Sequence, residues 1–252
     1  VHLACFSLLL SLLGASTASA IDTGKAEILF ESGRYELAKT HFQKAIEQQS
    51  HPSLHYNVAL IDLKLNQLAS ARWQIEQARM LAPMQSKYRL LEAHILEQLE
   101  LPVQKTLLVE AARFLSVNQW SLAASLTAWG CVWLLIVAIY GARQPARNLI
   151  ICSGLLLLFG FSLYARNLQT ARQASAIVGT KSSVDLLSAP TKNAPQIGSF
   201  AYGERLQVLK KHLDYVQVLG LRNAKGWLPK SQLYLFPKLA SLSAAETVPQ
   251  KP

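Results

Sequence analysis

The sequence predicts a multi-domain chain in three parts: an all-α helical-repeat domain, a transmembrane α-hairpin and a small all-β barrel, in that order. Three observations carry this. Small and bulky residues recur 33 positions apart between Ala26 and Ala78, two long uncharged apolar runs follow, and short alternating runs bounded by Pro, Gly and Asn come last. Hydrophobic residues make up 51% of the 252 positions and charged residues 16%, a balance skewed away from that of soluble proteins.

At the N-terminus, the apolar run Leu3 to Gly14 is followed by Ala18-Ser19-Ala20, the small-residue pattern of a secretory signal. Residues 1–20 are therefore expected to be a signal peptide cleaved after Ala20, although only His2 stands in for the usual basic start. The alternative is an uncleaved anchor, for which a dozen apolar residues are short against a span of about 20. Either one exports the segment that follows.

Residues 21–117 are expected to form the helical domain. Ala26, Gly33, Ala38 and Ala45 are small, and bulky Tyr35 and Phe42 stand between them. This predicts two amphipathic helices around a Gly turn. Ala59, Ala71, Ile75 and Ala78 answer Ala26, Ala38, Phe42 and Ala45, and Pro83 closes the second unit. On these residues the segment resembles a tetratricopeptide repeat. Lys25 and His55 depart from that pattern, standing where large apolar residues are common. Ser86 to Leu99 reads as a further amphipathic helix, with Val103 to Leu115 leading onward. Two units plus caps make a short solenoid, since each unit buries its apolar face only against a neighbour, and a partner or a homo-oligomer is expected to support it. Glu27, Glu31, Tyr56 and Lys64 are the candidate partner-binding residues of the concave face, where a helix or an extended tail would lie. The alternative is that they form an ordinary solvated face.

Residues 118–166 are expected to be a transmembrane helical hairpin, with helices at about 121–141 and 149–165. Phe114 to Ala142 contains no charge, and Asn148 to Ala165 is uncharged between Arg147 and Arg166. The connector from Gly141 to Arg147 is too brief for a domain, so the helices return antiparallel and the flanking domains share one side of the membrane. Trp120 and Tyr164 would mark one interface and Tyr140 the other. Arg143 and Arg147 argue for a cytoplasmic turn, while Arg113, Arg166 and Arg172 argue against it. The signal-like N-terminus decides for exported domains, which makes nucleic acid an unexpected partner. Cys131 and Cys152 differ in depth by roughly 10 Å in such a hairpin, too far to pair.

After an expected linker at 167–175, residues 176–238 are expected to form the barrel, and residues 239–252 a disordered tail. Five strands are expected: Ala176-Ile-Val, Val184 to Leu187, Arg205 to Leu209, Tyr215 to Leu219 and Gly226 to Pro229. This part is basic, with Lys and Arg outnumbering Asp185, Glu204 and Asp214, whereas residues 21–113 are balanced. Leu187-Ser-Ala-Pro-Thr, the run Ile197 to Leu209, Asp214-Tyr-Val-Gln-Val and Gly226-Trp-Leu-Pro resemble a bacterial SH3-type (SH3b) domain. Leu187 and Tyr215 depart from its usual Arg and Trp. Gly226 is expected to relieve crowding at the last turn, and Trp227 to cover the barrel mouth. The resemblance implies a wall-binding surface, for which Tyr202, Tyr215 and Trp227 are the candidates; Tyr215 and Trp227 acting as core is the alternative.

No HExxH, CxxC, phosphate-binding Gly loop or GxSxG occurs. His51 and His55 are four apart, but Pro52 interrupts the helix that would align them. No catalytic residue, metal or cofactor is expected. The whole order of modules resembles the BatE-type proteins of bacterial aerotolerance (Bat) operons. That resemblance implies a non-enzymatic scaffold in the bacterial inner membrane with both outer domains periplasmic, whose partners are envelope proteins such as von Willebrand A-domain Bat proteins. Peptidoglycan binding through the SH3b module is the alternative.

Overall fold

A computed structural model describes residues 17–102, 107–141, 145–181, 183–220 and 223–236. The apolar run Leu3 to Gly14, Arg143 in the connector and the tail 239–252 lie outside the described residues. The chain divides into two compact units, one holding the first five helices and one holding the described residues from Leu101 onward.

The first unit consists of α1 (Thr17–Glu31), α2 (Tyr35–Gln48), α3 (Pro52–Lys64), α4 (Leu68–Leu81) and α5 (Ser86–Gln98). It is a tetratricopeptide-like helical-repeat region. Ala26, Ala38, Phe42 and Ala45 are buried, and so are Ala59, Ala71, Ile75 and Ala78, their counterparts 33 positions later. Small residues let the paired helices approach closely, and Phe42 or Ile75 fills the space left between them. Helix α1 ends with Gly33 at φ +77°, Gly33 N–H donating to Phe30 O (3.1 Å) and Arg34 N–H to Leu29 O (2.9 Å). This is a Schellman cap. Helix α3 ends in the same way 33 positions later: Asn66 lies at φ 56°, Asn66 N–H donates to Leu63 O (3.1 Å) and Gln67 N–H to Asp62 O (2.8 Å). After α5, Glu100 adopts φ 53°. The left-handed position therefore occurs three times, 33 and then 34 residues apart, after α1, α3 and α5.

The second unit begins with the short α6 (Leu107–Ala112), followed by α7 (Val117–Gly141) and α8 (Pro145–Gln173). Ser116 opens α7 with a capping box: Gln119 N–H donates to Ser116 Oγ (3.4 Å), and Ser116 N–H to Gln119 Oε1 (2.9 Å). Helices α7 and α8 form a hairpin. Near its base Ala112, Trp120 and Ala165 make a small core with Phe161 and Leu168, the Trp120 and Phe161 rings meeting edge to face at 5.4 Å. Val117–Val137 and Ile150–Gln173 are long and apolar enough to cross a membrane, and little of either is buried. Leu122, Leu126, Trp129, Trp133, Leu156 and Leu157 are all exposed, the reverse of what a core helix in a water-soluble protein shows. Cys131 and Cys152 are free thiols.

The expected linker at 167–175 is instead the end of α8, which runs to Gln173. Asn167-Leu-Gln-Thr-Ala-Arg-Gln173 contains no Gly or Pro, and helix propensity, not the end of the apolar run, decides where the helix stops.

The sheet comprises β1 (Ser175–Val178), β2 (Val184–Leu187), β3 (Gln196–Phe200), β4 (Arg205–His212), β5 (Tyr215–Leu219), β6 (Lys225–Pro229) and β7 (Leu233–Leu235). It is antiparallel throughout, with strand order β3-β2-β6-β5-β4-β1-β7. All seven strands send residues into one core, from Ala176, Val184 and Phe200 to Val216, Leu228 and Leu233, so the sheet wraps its apolar face inward. Among the described residues its edge strands β3 and β7 are not paired with each other, so an antiparallel seven-stranded sheet is shown and its closure into the expected barrel is not. Two strands were not anticipated. In β3 only Phe200 is buried, so it lacks the alternation that announces a strand, and β7 spans three residues. Gly226 faces β2: a Cβ there would lie 2.5 Å from Leu186 Cγ and 2.8 Å from the Leu187 carbonyl oxygen. Its crowding thus comes from the strand crossing, not from a turn. Gly226→Ala is expected to destabilise the sheet by about 1–3 kcal/mol, whereas Gly24→Ala, which meets open space, should not destabilise α1. Hydrogen exchange in the detergent-solubilised chain checks both, β2 and β6 peptides reading the first and α1 peptides the second.

Candidate functional site

Four residues were singled out on the repeat unit, and the structure separates them. Glu27 lines a hollow of about 120 Å³ together with Phe30, Phe42, Asn57 and Leu60. Residues 27 and 60 are equivalent positions one repeat apart, each following a buried alanine, Ala26 or Ala59. The hollow is therefore built by the first helices of two successive repeats together with Phe42 of α2. Glu31 and Lys64 are exposed at the ends of α1 and α3. Tyr56 is half-buried, its ring 5.4 Å from that of Tyr88 on α5, with Lys87 Nζ 5.1 Å from the Tyr56 centroid. It thus serves the joint between repeats. Burial, then the neighbouring Tyr56, raises the pKa of the Tyr88 phenol. Phe30, Asn57 and Leu60 went unrecognised in the sequence. The signal that could have found Leu60 was its place 33 residues after Glu27.

Beneath the surface, a polar cluster fastens the helices. Lys39 Nζ of α2 lies 2.6 Å from Asp62 Oδ1 of α3 and donates to Gln67 Oε1 at 2.7 Å, while the Ser70 hydroxyl of α4 donates to Asp62 Oδ2 at 2.5 Å. Burial still raises the Asp62 pKa, with the Lys39 and Ser70 hydrogen bonds acting in the opposite direction. His55, the departure from the repeat pattern, is buried. Its Nδ1 donates to Gln74 Oε1 (2.7 Å), and its Nε2 accepts from the Ser50 hydroxyl (3.0 Å). A neutral imidazole fits both partners. His51 instead caps α3 through Ser53. Arg79 of α4 pairs with buried Glu92 of α5. These groups have partners suited to holding helices together. Among the described residues no group of three His, Cys, Asp or Glu is placed to hold a metal ion.

On the sheet, Gln217 pairs with Trp227 and Tyr215 with Pro229. These four face away from Val216, Val218 and Leu228, which are buried on the core side. Trp227 is therefore neither a plug of the core nor a lid over its mouth: the pleat turns it outward because Leu228 is turned in. Its ring meets His212 edge to face at 6.2 Å, and His212 pairs with Tyr215. Tyr215 and Trp227 thus share one patch, to which sequence reasoning had not assigned His212. Tyr202 lies in the turn before β4, at the other end of a strand roughly 23 Å long, and is not part of that patch.

No family model matches the chain, and no curated protein matches it. Among solved structures, the crystal structure of yeast Tom70 is similar to it, with 16% sequence identity and a TM-score of 0.32 over 59% of this chain and 26% of that one. The chain thus spans about a quarter of the length of that protein.

Burial lowers the pKa of His55 from the ordinary value of 6.5, outweighing the hydrogen bond to Gln74. Below 6.5 an unfolded His55 takes up a proton that the folded one still refuses. Stability of the repeat unit should therefore be fully present above that pH and fall as acid approaches the folded pKa. Asp62 acts oppositely: its raised pKa costs stability at neutral pH, and that cost shrinks on acidification. In His55→Gln the acid-induced loss should flatten. Hydrogen exchange of α3 and α4 amides between pH 7.5 and 5, corrected for intrinsic rates, reads it.

Proposed function

We propose that this chain is a membrane-anchored scaffold, without enzymatic activity, that gathers proteins of the bacterial envelope in the manner implied by its likeness to BatE-type proteins. The observation that carries this reading is the pairing of a repeat hollow with a helical hairpin whose apolar surface is exposed. Such a hairpin is at home in lipid, where its backbone bonds are satisfied internally. Helix α7, at about 1.5 Å per residue over 25 residues, is roughly 37 Å long, enough for a hydrocarbon layer of about 30 Å. Its antiparallel return sets repeat unit and sheet on one side of the membrane, which on this reading is the periplasm. Glu27 and Asn57 offer hydrogen bonds, and Phe30 and Leu60 apolar contact, to a helix or extended segment of an envelope protein. A von Willebrand A-domain Bat protein is the partner implied by resemblance, and a second copy of the chain could lengthen the short array.

Two measurements test this reading. Ser50→Cys and Lys225→Cys, introduced singly in a background lacking Cys5, Cys131 and Cys152, should both react with an impermeant thiol reagent on intact cells; protection of both would invert the hairpin and remove the periplasmic assignment. A photo-crosslinking residue at Asn57 should capture a membrane protein, and Glu27→Lys should reduce capture severalfold. Capture that is unaffected by Glu27→Lys would move the partner surface elsewhere.

A second reading is favoured by the outward patch of Tyr215, Trp227 and His212: the sheet is an SH3b-type barrel that binds peptidoglycan. Aromatic faces suit sugar rings, and nearby Lys210 suits an acidic wall polymer. The solubilised chain should then sediment with purified sacculi, and Trp227→Ala should abolish this. No enrichment of the wild-type chain would end the reading.

A further inference from the structure

We infer that the hollow where the end of α8 meets the sheet binds a phosphate group, supplied by the headgroup of an acidic phospholipid. The inference rests on the membrane reading of α7 and α8. The hollow holds about 220 Å³ and is lined by Leu168 and Arg172 of α8, Ser175 of β1, Arg205 and Gln207 of β4, and Leu219 of β5, among others. Two arginines thus line one cavity, and no Asp or Glu is among its described lining residues.

Arg205 is held in position. Its Nε donates to Ser175 Oγ (3.0 Å) and a terminal nitrogen to the Arg172 carbonyl (3.4 Å), while the guanidinium lies 5.3 Å from the Phe236 ring centroid. The Ser175 hydroxyl donates in turn to the Arg172 carbonyl at 2.5 Å. These bonds orient a planar five-donor group, the geometry suited to bidentate contact with phosphate oxygens. The adjacent Glu204 carboxylate accepts from Ala201 N–H (3.1 Å) in its own turn.

Depth agrees with a headgroup. Arg166 is the first charge after the apolar run of α8, and Arg172 follows roughly 9 Å further along the helix. Lipid headgroups occupy about 5–8 Å beyond the hydrocarbon, and the long arginine stem reaches back over the remainder. Leu168 and Leu219 supply an apolar flank for the glycerol and upper acyl chain, and the basic sheet adds attraction to an anionic surface.

The test uses the full chain reconstituted with phosphatidylcholine alone or mixed with phosphatidylglycerol. Carbonate-resistant flotation with neutral liposomes comes first; its failure would sink the membrane reading itself. With flotation established, native mass spectrometry of chain released from mixed nanodiscs should show a retained ratio of phosphatidylglycerol to phosphatidylcholine roughly thirtyfold above that of the bulk lipid, the scale expected of two arginines at a lipid surface. Arg172→Gln and Arg205→Gln should each remove most of this enrichment. Arg172→Lys should keep much of it, and Lys44→Gln, an exposed lysine of the repeat unit, should leave it unchanged. Unaltered enrichment in both Gln variants, or equal loss in Lys44→Gln, would overturn the site. Inorganic phosphate is the second arm: arginine-dependent binding of phosphate by calorimetry, without lipid enrichment, would overturn the lipid assignment in favour of free phosphate.

Discussion

The carbonyl oxygen of Ala112 receives two hydrogen bonds, from the Trp120 indole at 2.8 Å and from the Gln169 amide at 2.9 Å, and the geometry of the second unit follows from this node. Helix α6 ends at Ala112 and, like any helix, leaves its last carbonyls without internal partners. The side chains that satisfy this one come from α7 and α8. One backbone oxygen therefore ties three helices at the base of the hairpin, and the Trp120 ring that reaches it also packs on Phe161. With the base so fastened, α7 and α8 return together, and α8 carries that alignment past its apolar run to the sheet.

Continuity of α8 into β1 gives the node a longer reach. The helix ends at Gln173 and the strand begins at Ser175, with Ala174 between them accepting from Val208 N–H of β4 at 2.9 Å. A hinge would need exposed backbone and few contacts. Here the junction is hydrogen-bonded on both sides, and Arg205 stitches the strand region back to the helix. A change in tilt of α8 would accordingly be passed to the sheet.

The repeat unit rests on a different principle. Its helices meet through alanines, so the apolar contact of each pair is modest, and buried polar groups do part of the fastening. Removing Lys39 would leave the buried Asp62 carboxylate without its counter-charge, which is far more damaging than never having had the pair. How much of this was legible depended on the residue type. The alanine and aromatic spacing announced the repeats, and the Gly turn announced the first cap. Asn66 and Glu100 did not announce the second and third caps, because neither residue type demands a left-handed backbone. The departure at His55 was visible, but the reason for it was not, since Gln74 lies a helix away.

The sequence alone determined the three-part order, the helix-pair period, the two apolar runs and most of the strands, because each depends on local spacing: 33 between repeats, about 20 residues for a membrane, alternation for a half-buried strand. Residues 27 and 227 could be named from it as surface candidates, but their neighbours could not. Only the tertiary structure decided that Glu27 shares a hollow with Asn57 and Leu60, that Tyr56 packs against Tyr88, that Tyr202 stands apart from Tyr215 and Trp227, and that a linker was helix. Each of these depends on which segments come to lie side by side. Periodicity along a chain says which face a residue occupies; what that face meets is settled by packing between segments distant in the chain.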